Sequence, residues 1–458
     1  MKFKTTLVAA AVMLICQVGH AQTAKEVAAE MRQMREDLRQ LRAELDGLKK
    51  QKNQEPSAAP VVAAQVPSQS STEASAPVKA ASNPSYANTS PSREAEPVAN
   101  AVNLFGYGEL NFSRLKNSIA SSEATARRAV LGFGYKFNDR TRFAAELEVE
   151  HAVVSRNDDG EVAFEQLYVE HDISDGLSAK MGLFLLPVGY MNESHEPTRY
   201  YGVTRNLVET AIIPSTWREI GVGFRGLQDA GLRWDAGVVT SFDLTKWPTD
   251  SAETKESPLG SIHQEGQKAK AASLGYYGAL NFDGVPGVNF GGSLFHGGVG
   301  QKQTVVASTG AQMPSPDASV TLAELHTKWQ VGAWDLSALA AQGWFHDVSA
   351  FNAATSSNGF NNPVPNQFRG WYAQAAYRLW RSGDYSLVPF TRYEHVNTAV
   401  SYSGVFPGQV VSTGPDTKVW TVGASYYLHP QVVVKMDIQK YQNNSDLDRF
   451  NMGIGFHY

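Results

Sequence analysis

The sequence has one cysteine, Cys16, and it falls inside an N-terminal segment with the marks of a cleaved export signal. Lys2 and Lys4 form a basic start, Leu7 to Val18 an apolar core, and Gly19-His20-Ala21 supplies small residues, so cleavage is expected before Gln22. Ile15 stands before Cys16, where a lipoprotein cleavage site would have a small residue. The mature chain therefore contains no cysteine. That removes disulfides, thiolate metal sites and cysteine nucleophiles together. Long apolar runs are missing too: beyond the signal, no stretch reaches the ~18 continuous residues that a membrane helix requires, which excludes a helical membrane protein. An excess of positive charge is also absent. Lys plus Arg number 40 against 45 Asp plus Glu, a net charge of −5, and this leaves no electrostatic footprint for nucleic acid. Catalytic signatures are lacking as well. No G-x-S-x-G occurs, His195-Glu196 and His457 stand isolated, and no histidine pair has metal-ligand spacing. Neither an enzyme nor a bound cofactor or metal is expected.

Three regions follow the signal (1–21). Residues 22–52 read as a coiled-coil helix. Val27, Met31, Met34, Leu38, Leu41, Leu45 and Leu48 recur at alternating spacings of four and three, a heptad seam. Glu30 with Arg35, Asp37 with Arg42, and Glu44 with Lys49 place opposite charges at the flanking positions, which favours parallel self-association. A solitary helix of this length would be marginal in water. The seam leaves dimer and trimer open. Residues 53–100, rich in Ala, Pro, Ser and Val, cannot build a core and read as a semi-flexible linker.

Residues 101–458 carry a different pattern, of ~10-residue segments alternating apolar with polar or small residues. In the last segment Phe450, Met452, Ile454, Phe456 and Tyr458 oppose Asn451, Gly453, Gly455 and His457. Leu131, Phe133, Tyr135 and Phe137 oppose Arg128, Gly132, Gly134 and Lys136, and Leu147 and Val149 oppose Glu146, Glu148 and Glu150. Sixteen such strands begin near Leu104, Ala126, Thr141, Glu161, Gly176, Arg218, Gly231, Ala271, Gly287, Ser319, Trp334, Arg369, Tyr385, Thr417, Gln431 and Asp448. Connections after even strands are short, as at Asn138-Asp139 and His429-Pro430, while most of those after odd strands are long. An even count with short turns on one side and long loops on the other describes an all-β fold, a 16-stranded antiparallel transmembrane barrel. A soluble β-sandwich also has one apolar face per strand. Against it stand aromatics near strand ends (Trp371, Trp380, Trp420, Tyr426, Tyr427), as membrane girdles require, and many charges on the opposite face.

The third external loop, about Val188 to Trp217, is polar yet studded with aromatics and with Ile212-Ile213-Pro214. Its apolar residues need a wall to pack on and its charged ones need water or partners. Folding into the lumen meets both needs and would narrow a pore with Glu193, Glu196, Arg199, Tyr200, Tyr201, Arg205, Asn206 and Glu209. An outward loop used in contact between protomers is the alternative. Alternation turns Arg128, Arg142, Glu146, Glu148, Lys180, Arg225, Arg233, Arg378 and Arg392 toward the lumen wall.

Gly182-Leu183-Phe184-Leu185-Leu186-Pro187-Val188-Gly189, Ile212-Ile213-Pro214-Ser215-Thr216-Trp217 and Arg218-Glu219-Ile220-Gly221-Val222-Gly223 resemble the phosphate-selective porin O and P family. The resemblance extends over most of 102–458. It implies a trimeric, water-filled diffusion channel in the outer membrane of a Gram-negative bacterium, with an inward third loop. The N-terminal helix resembles that of coiled-coil-bearing trimeric dicarboxylate-uptake porins, which implies a coiled coil in the periplasm. The chain departs from the phosphate pattern of an arginine ladder and a lysine-rich constriction: from residue 101 onward, 28 Lys plus Arg face 35 Asp plus Glu. The expectation is therefore a homotrimeric porin for small hydrophilic solutes, anions included, without strict phosphate specificity. The strand ending at Tyr458 resembles the signal read by the barrel-assembly machinery, where Phe is the commoner last residue. The rival expectation is a structural barrel, anchoring the outer membrane to the cell wall through the coiled coil.

Overall fold

Dyad alternation leaves each strand with an apolar row and a polar row, and a closed sheet is the form that hides every backbone edge from lipid. The computed structural model describes residues 102–155, 158, 160–248, 257–307, 309–355, 362–405 and 416–458. The expected signal, coiled coil and linker lie outside the described residues. Within them the chain forms a meander of sixteen strands. These are β1 (Val102–Leu115), β2 (Glu123–Lys136), β3 (Thr141–Glu150), β4 (Glu161–Ser174), β5 (Leu177–Leu185), β6 (Arg218–Gln228), β7 (Leu232–Val239) and β8 (Gly275–Val285). There follow β9 (Val288–Gly298), β10 (Ser319–Val331), β11 (Trp334–His346), β12 (Pro365–Tyr377), β13 (Tyr385–Tyr402), β14 (Asp416–His429), β15 (Val432–Tyr441) and β16 (Arg449–His457). β12 is interrupted at Arg378-Leu379 and resumes over Trp380–Ser382. Each strand pairs antiparallel with its neighbours, and β16 returns to β1 in the register Gly108↔Phe456 and Leu110↔Ile454, which closes the barrel. Tyr458 exchanges backbone hydrogen bonds with Gly106, so the final aromatic residue is built into the seam.

The expected strand starts agree with the observed ones to within about four residues, β8 and β12 being the most displaced. Short turns occupy the end of the barrel where both β1 and β16 have their outer termini. Their tightness demands a positive φ: at Gly287 (φ 78°) an added Cβ would come 2.5 Å from the Gln330 carbonyl oxygen, and Gly176 (φ 79°) is confined in the same way by Leu227.

The outward row is apolar and uncovered, with Leu104, Leu294, Leu325, Met436 and Ile438 all exposed. Outside a lipid phase this surface would be a large hydrophobic liability. Outward aromatics fall in two bands. Trp371, Tyr393 and Trp420 pack at a tilt toward the long-loop side, with ring centroids 5.4 and 4.9 Å apart. Trp334, Tyr377, Trp380 and Tyr426 lie toward the short turns. Tyr427 corrects the expected girdle. It is buried inside the barrel, where its hydroxyl donates to the Thr198 carbonyl, because the pleat turns it to the face opposite Tyr426.

The long loops are folded rather than splayed. Leu186, Val208, Ile212, Ile213 and Trp217 of the third loop join Phe242, Leu244, Leu259 and Ile262 of the fourth and Val299 of the fifth in one apolar cluster. Val348 and Phe351, the latter on the short helix α1 (Ser349–Thr355), belong to the same cluster. Trp217 stands at its centre, with ring centroids 4.7 Å from Phe295 and 5.2 Å from Phe242.

Candidate functional site

The third loop runs from Leu186 to Trp217, and its polar groups bond to lumen-facing groups around the barrel. Asn192 sets its root: the side-chain amide donates to the carbonyls of Leu186 and Trp217, and its oxygen accepts the Trp217 N–H. Both ends of the loop are thus held by one residue. Glu193 then reaches the wall of β6 and β7, 2.6 Å from Arg225 and 3.9 Å from Arg233. Burial opposes its charge, but the Arg225 and Arg233 guanidiniums hold its carboxyl down at about 2. Tyr200 donates to Glu109 on β1 and lies under the Lys435 ammonium, 3.6 Å from the ring centroid. Tyr201 donates to Asp335 on β11 and stacks on Phe390 of β13. The Val203 and Leu207 N–H groups donate to Asp437 on β15 and Glu394 on β13.

Glu209 closes the far part of the loop on itself. One carboxylate oxygen accepts the N–H groups of Tyr190 and Met191, at 2.6 and 2.7 Å, and the other accepts from Asn206 and from the Tyr372 hydroxyl of β12. Burial raises its pKa despite these donors. Arg205 is also spent internally, donating to the Ser215 and Thr216 hydroxyls. Arg199 is exposed, and Glu196 is half-buried with Oε2 free of any hydrogen bond among the described residues.

Most of the wall residues named from alternation are engaged by oppositely charged or polar neighbours. Arg128 meets Glu109, Glu148 and Glu150 at 2.9, 3.1 and 3.4 Å. Arg142 meets Glu170 and Asp172, Arg225 meets Asp235 at 2.5 Å, Arg233 meets Asp235 at 3.4 Å, and Arg392 meets Glu394 at 2.8 Å. Glu146 accepts from Gln166, Lys180 sits 4.6 Å from the Tyr168 ring centroid, and Arg378 occupies the break in β12. Ladders of opposite charge hold the wall rigid rather than offering a row of one sign.

Between the loop and β9–β13 lies a cavity of about 90 Å³, lined by cations, tyrosines and amides. Arg199, Lys328 and Arg392 supply the charge, Tyr190, Tyr200, Tyr201 and Tyr372 the rings, and Asn206, Asn289 and Gln374 the amides. No carboxylate is among its lining residues. Of the eight loop residues expected at a constriction, Arg199, Tyr200, Tyr201 and Asn206 line this cavity, whereas Glu193, Glu196, Arg205 and Glu209 do not. Lys328, Tyr372, Gln374 and Asn289 were missed. Their inward parity was readable, but nothing in the sequence says which strands the loop will face.

A closed sixteen-stranded barrel with an apolar exterior and a charged, loop-filled interior defines a transmembrane β-barrel of the outer-membrane porin fold. The structure of Salmonella typhi OmpF in complex with daunomycin superposes with a TM-score of 0.51 at 13% identity, over 78% of this chain and 98% of that one. The DcaP outer-membrane channel of Acinetobacter baumannii (0.47, 10%) and the anion-selective porin of Comamonas acidovorans (0.46, 13%) each cover 79% of this chain and 99% of their own. No protein-family model matches the sequence. A protein of Aquifex aeolicus, described as uncharacterized, is 30% identical over 367 residues, 78% of this chain and 80% of its own length. The chain belongs to the same family as this Aquifex protein.

Proposed function

We propose that the chain is an outer-membrane porin, a homotrimer like the phosphate-selective porins it resembles, through which small hydrophilic solutes diffuse passively. In this reading the third loop narrows the pore, the cavity beside it is the narrow part of the path, and small anions are favoured there. The observation that carries this is the cavity lining, which holds three cationic side chains, four tyrosines, three amides, two serines and a methionine but no carboxylate, in a barrel region whose overall balance is negative. Asp335 and Glu394 pair with Lys328 and Arg392 from outside the lining. A solute entering a narrow passage loses part of its hydration, and Arg199, Lys328 and Arg392 replace that hydration for an anion but not for a cation. The aromatic and amide groups tolerate organic anions as well as inorganic ones, which fits the lack of a phosphate-type arginine ladder.

The test is reversal potential in a salt gradient across a planar bilayer. Wild-type channels are expected to favour anions, and Arg199→Ala combined with Lys328→Ala to shift the potential toward cations. Arg205→Ala is expected to leave it nearly unchanged, because that guanidinium is turned onto Ser215 and Thr216. An unmoved potential in the double variant would sink the assignment of the cavity to the path. A barrel that carries no current at all would instead favour the structural reading, an envelope anchor acting through the N-terminal helix.

A further inference from the structure

Where the third loop meets β3 and β4, two carboxylates and an imidazole converge. Glu146 of β3, Glu165 of β4 and His195 of the loop are all buried, and one ligand atom from each lies within 4.8 Å of the others. We propose that these three side chains bind a divalent transition-metal ion, zinc(II) being the best match to the donor set, and that the ion ties the loop to the wall.

Strand geometry is the first support. The register of β3 against β4 shifts between Glu146 and Leu147, which pair with Gln166 and Phe164, so that Glu165 is the extra residue of a β-bulge. Bulges re-aim side chains, and this one sends both Glu165 and Gln166 inward beside Glu146. Without it, strict alternation would turn one of the two to lipid.

Each donor also has an outer partner that sets its orientation, as metal ligands generally do. The Asn192 carbonyl lies 3.0 Å from His195 Nδ1. A carbonyl only accepts, so Nδ1 carries the proton and Nε2 turns toward Glu165. Gln166 Nε2 donates to Glu146 Oε2 at 2.8 Å, and the Tyr107 hydroxyl lies 3.3 Å from Glu165 Oε1. The His195 Nε2 to Glu165 Oε2 separation is 3.5 Å. A charge-assisted N–H···O bond is shorter, at about 2.7–2.9 Å. Two ligands each ~2.0–2.1 Å from a tetrahedral zinc stand roughly 3.3 Å apart.

Charge balance is the independent observation. Arg128 is taken up by Glu109, Glu148 and Glu150. Arg205, the other nearby guanidinium, is directed to Ser215 and Thr216 and reaches only the His195 carbonyl, at 3.5 Å. Among the described residues, neither Glu146 nor Glu165 has a lysine or arginine within ion-pair distance; His195 is the one basic group beside Glu165, and Glu146 accepts only from Gln166. Buried carboxylates of this kind call for a proton or a cation. Two oxygens and one imidazole nitrogen suit zinc or manganese better than calcium, which takes six to eight oxygens.

The experiment is zinc binding by the purified full-length protein in detergent, followed by titration calorimetry and by metal content after dialysis. One zinc per chain is expected. His195→Ala and the near-isosteric Glu165→Gln and Glu146→Gln should each weaken binding about tenfold or more. His346→Ala is the control, because His346 and His296 form a second, outer histidine pair with ring centroids 6.5 Å apart. It should leave the stoichiometry unchanged. Heat-modified gel mobility reports whether each variant is a folded barrel. Three outcomes overturn the proposal: no zinc on the wild-type protein, zinc held equally well by the folded Glu165→Gln and Glu146→Gln variants, or zinc lost only with His346. The first would leave His195 as a protonated partner of Glu165.

Discussion

The third loop meets the wall in two different ways. Toward β4–β8 it is closed: Glu193 is ion-paired with Arg225, Trp217 is packed against Phe242 of the fourth loop, and the space left near Glu193, Lys180 and Arg225 is only about 10 Å³. Toward β9–β13 it is held at its far edge by Glu209 and Tyr372 and by Leu207 and Glu394, with the larger cavity between. The physical difference lies in how much space is left between loop and wall. On the first side cations and carboxylates neutralise one another and seal the joint. On the second, Lys328 and Arg392 are paired with Asp335 and Glu394 yet still line open space together with Arg199. One loop therefore has a stiff hinge and an open margin, and it obtains them from neighbouring stretches of the wall.

Variants on the closed side should cost stability, and variants on the open side should change permeation. Trp217→Ala is the strongest way to break the comparison. Emptying a fully buried indole site is expected to cost about 3–5 kcal/mol, read in denaturant titration, and to loosen the loop, read as noisier single-channel current. Glu193→Gln comes next. It removes one partner of Arg225 but leaves Asp235, so a loss on the order of 1.5–3 kcal/mol is expected.

The same carboxylate predicts a pH effect. Its folded pKa is depressed to about 2, so its contribution is fully present above the ordinary carboxylate range and is lost as pH falls from about 4.5 toward 2. Wild-type current should become unstable through that window, and Glu193→Gln should lack this component of the acid response. The smallest expected effect on stability is that of Lys328→Gln, within about 0.5 kcal/mol because its pair with Asp335 is partly exposed to the lumen. If that variant instead unfolds the barrel while Trp217→Ala is silent, the assignment of the two sides is reversed.

Much of this architecture was readable because strand alternation has a period of two and is set residue by residue. Phe450 to Tyr458 displays it without interruption, and the observed seam with β1 follows it. Where alternation is locally ambiguous, reading failed. Tyr426 and Tyr427 are both aromatic, and only the pleat of β14, with its register shift between Tyr427 and His429, decides which faces lipid. The bulge at Glu165 was likewise invisible, since an extra residue looks like ordinary sequence until the partner strand is in place. Ile212 and Ile213 signalled that their loop needed a wall to pack on. The residues that supply its packing come from the fourth, fifth and sixth loops, far along the chain.

The sequence by itself determined the strand count, the two faces of each strand and the side of the barrel that carries the long loops. All of these follow from local periodicity and turn chemistry. Only the tertiary structure decided which charges neutralise one another, which loop residues face open space, and which three side chains converge beside Gln166. Those outcomes depend on barrel closure, because closure brings residues as distant as Thr198 and His457, or Tyr200 and Glu109, within hydrogen-bond reach.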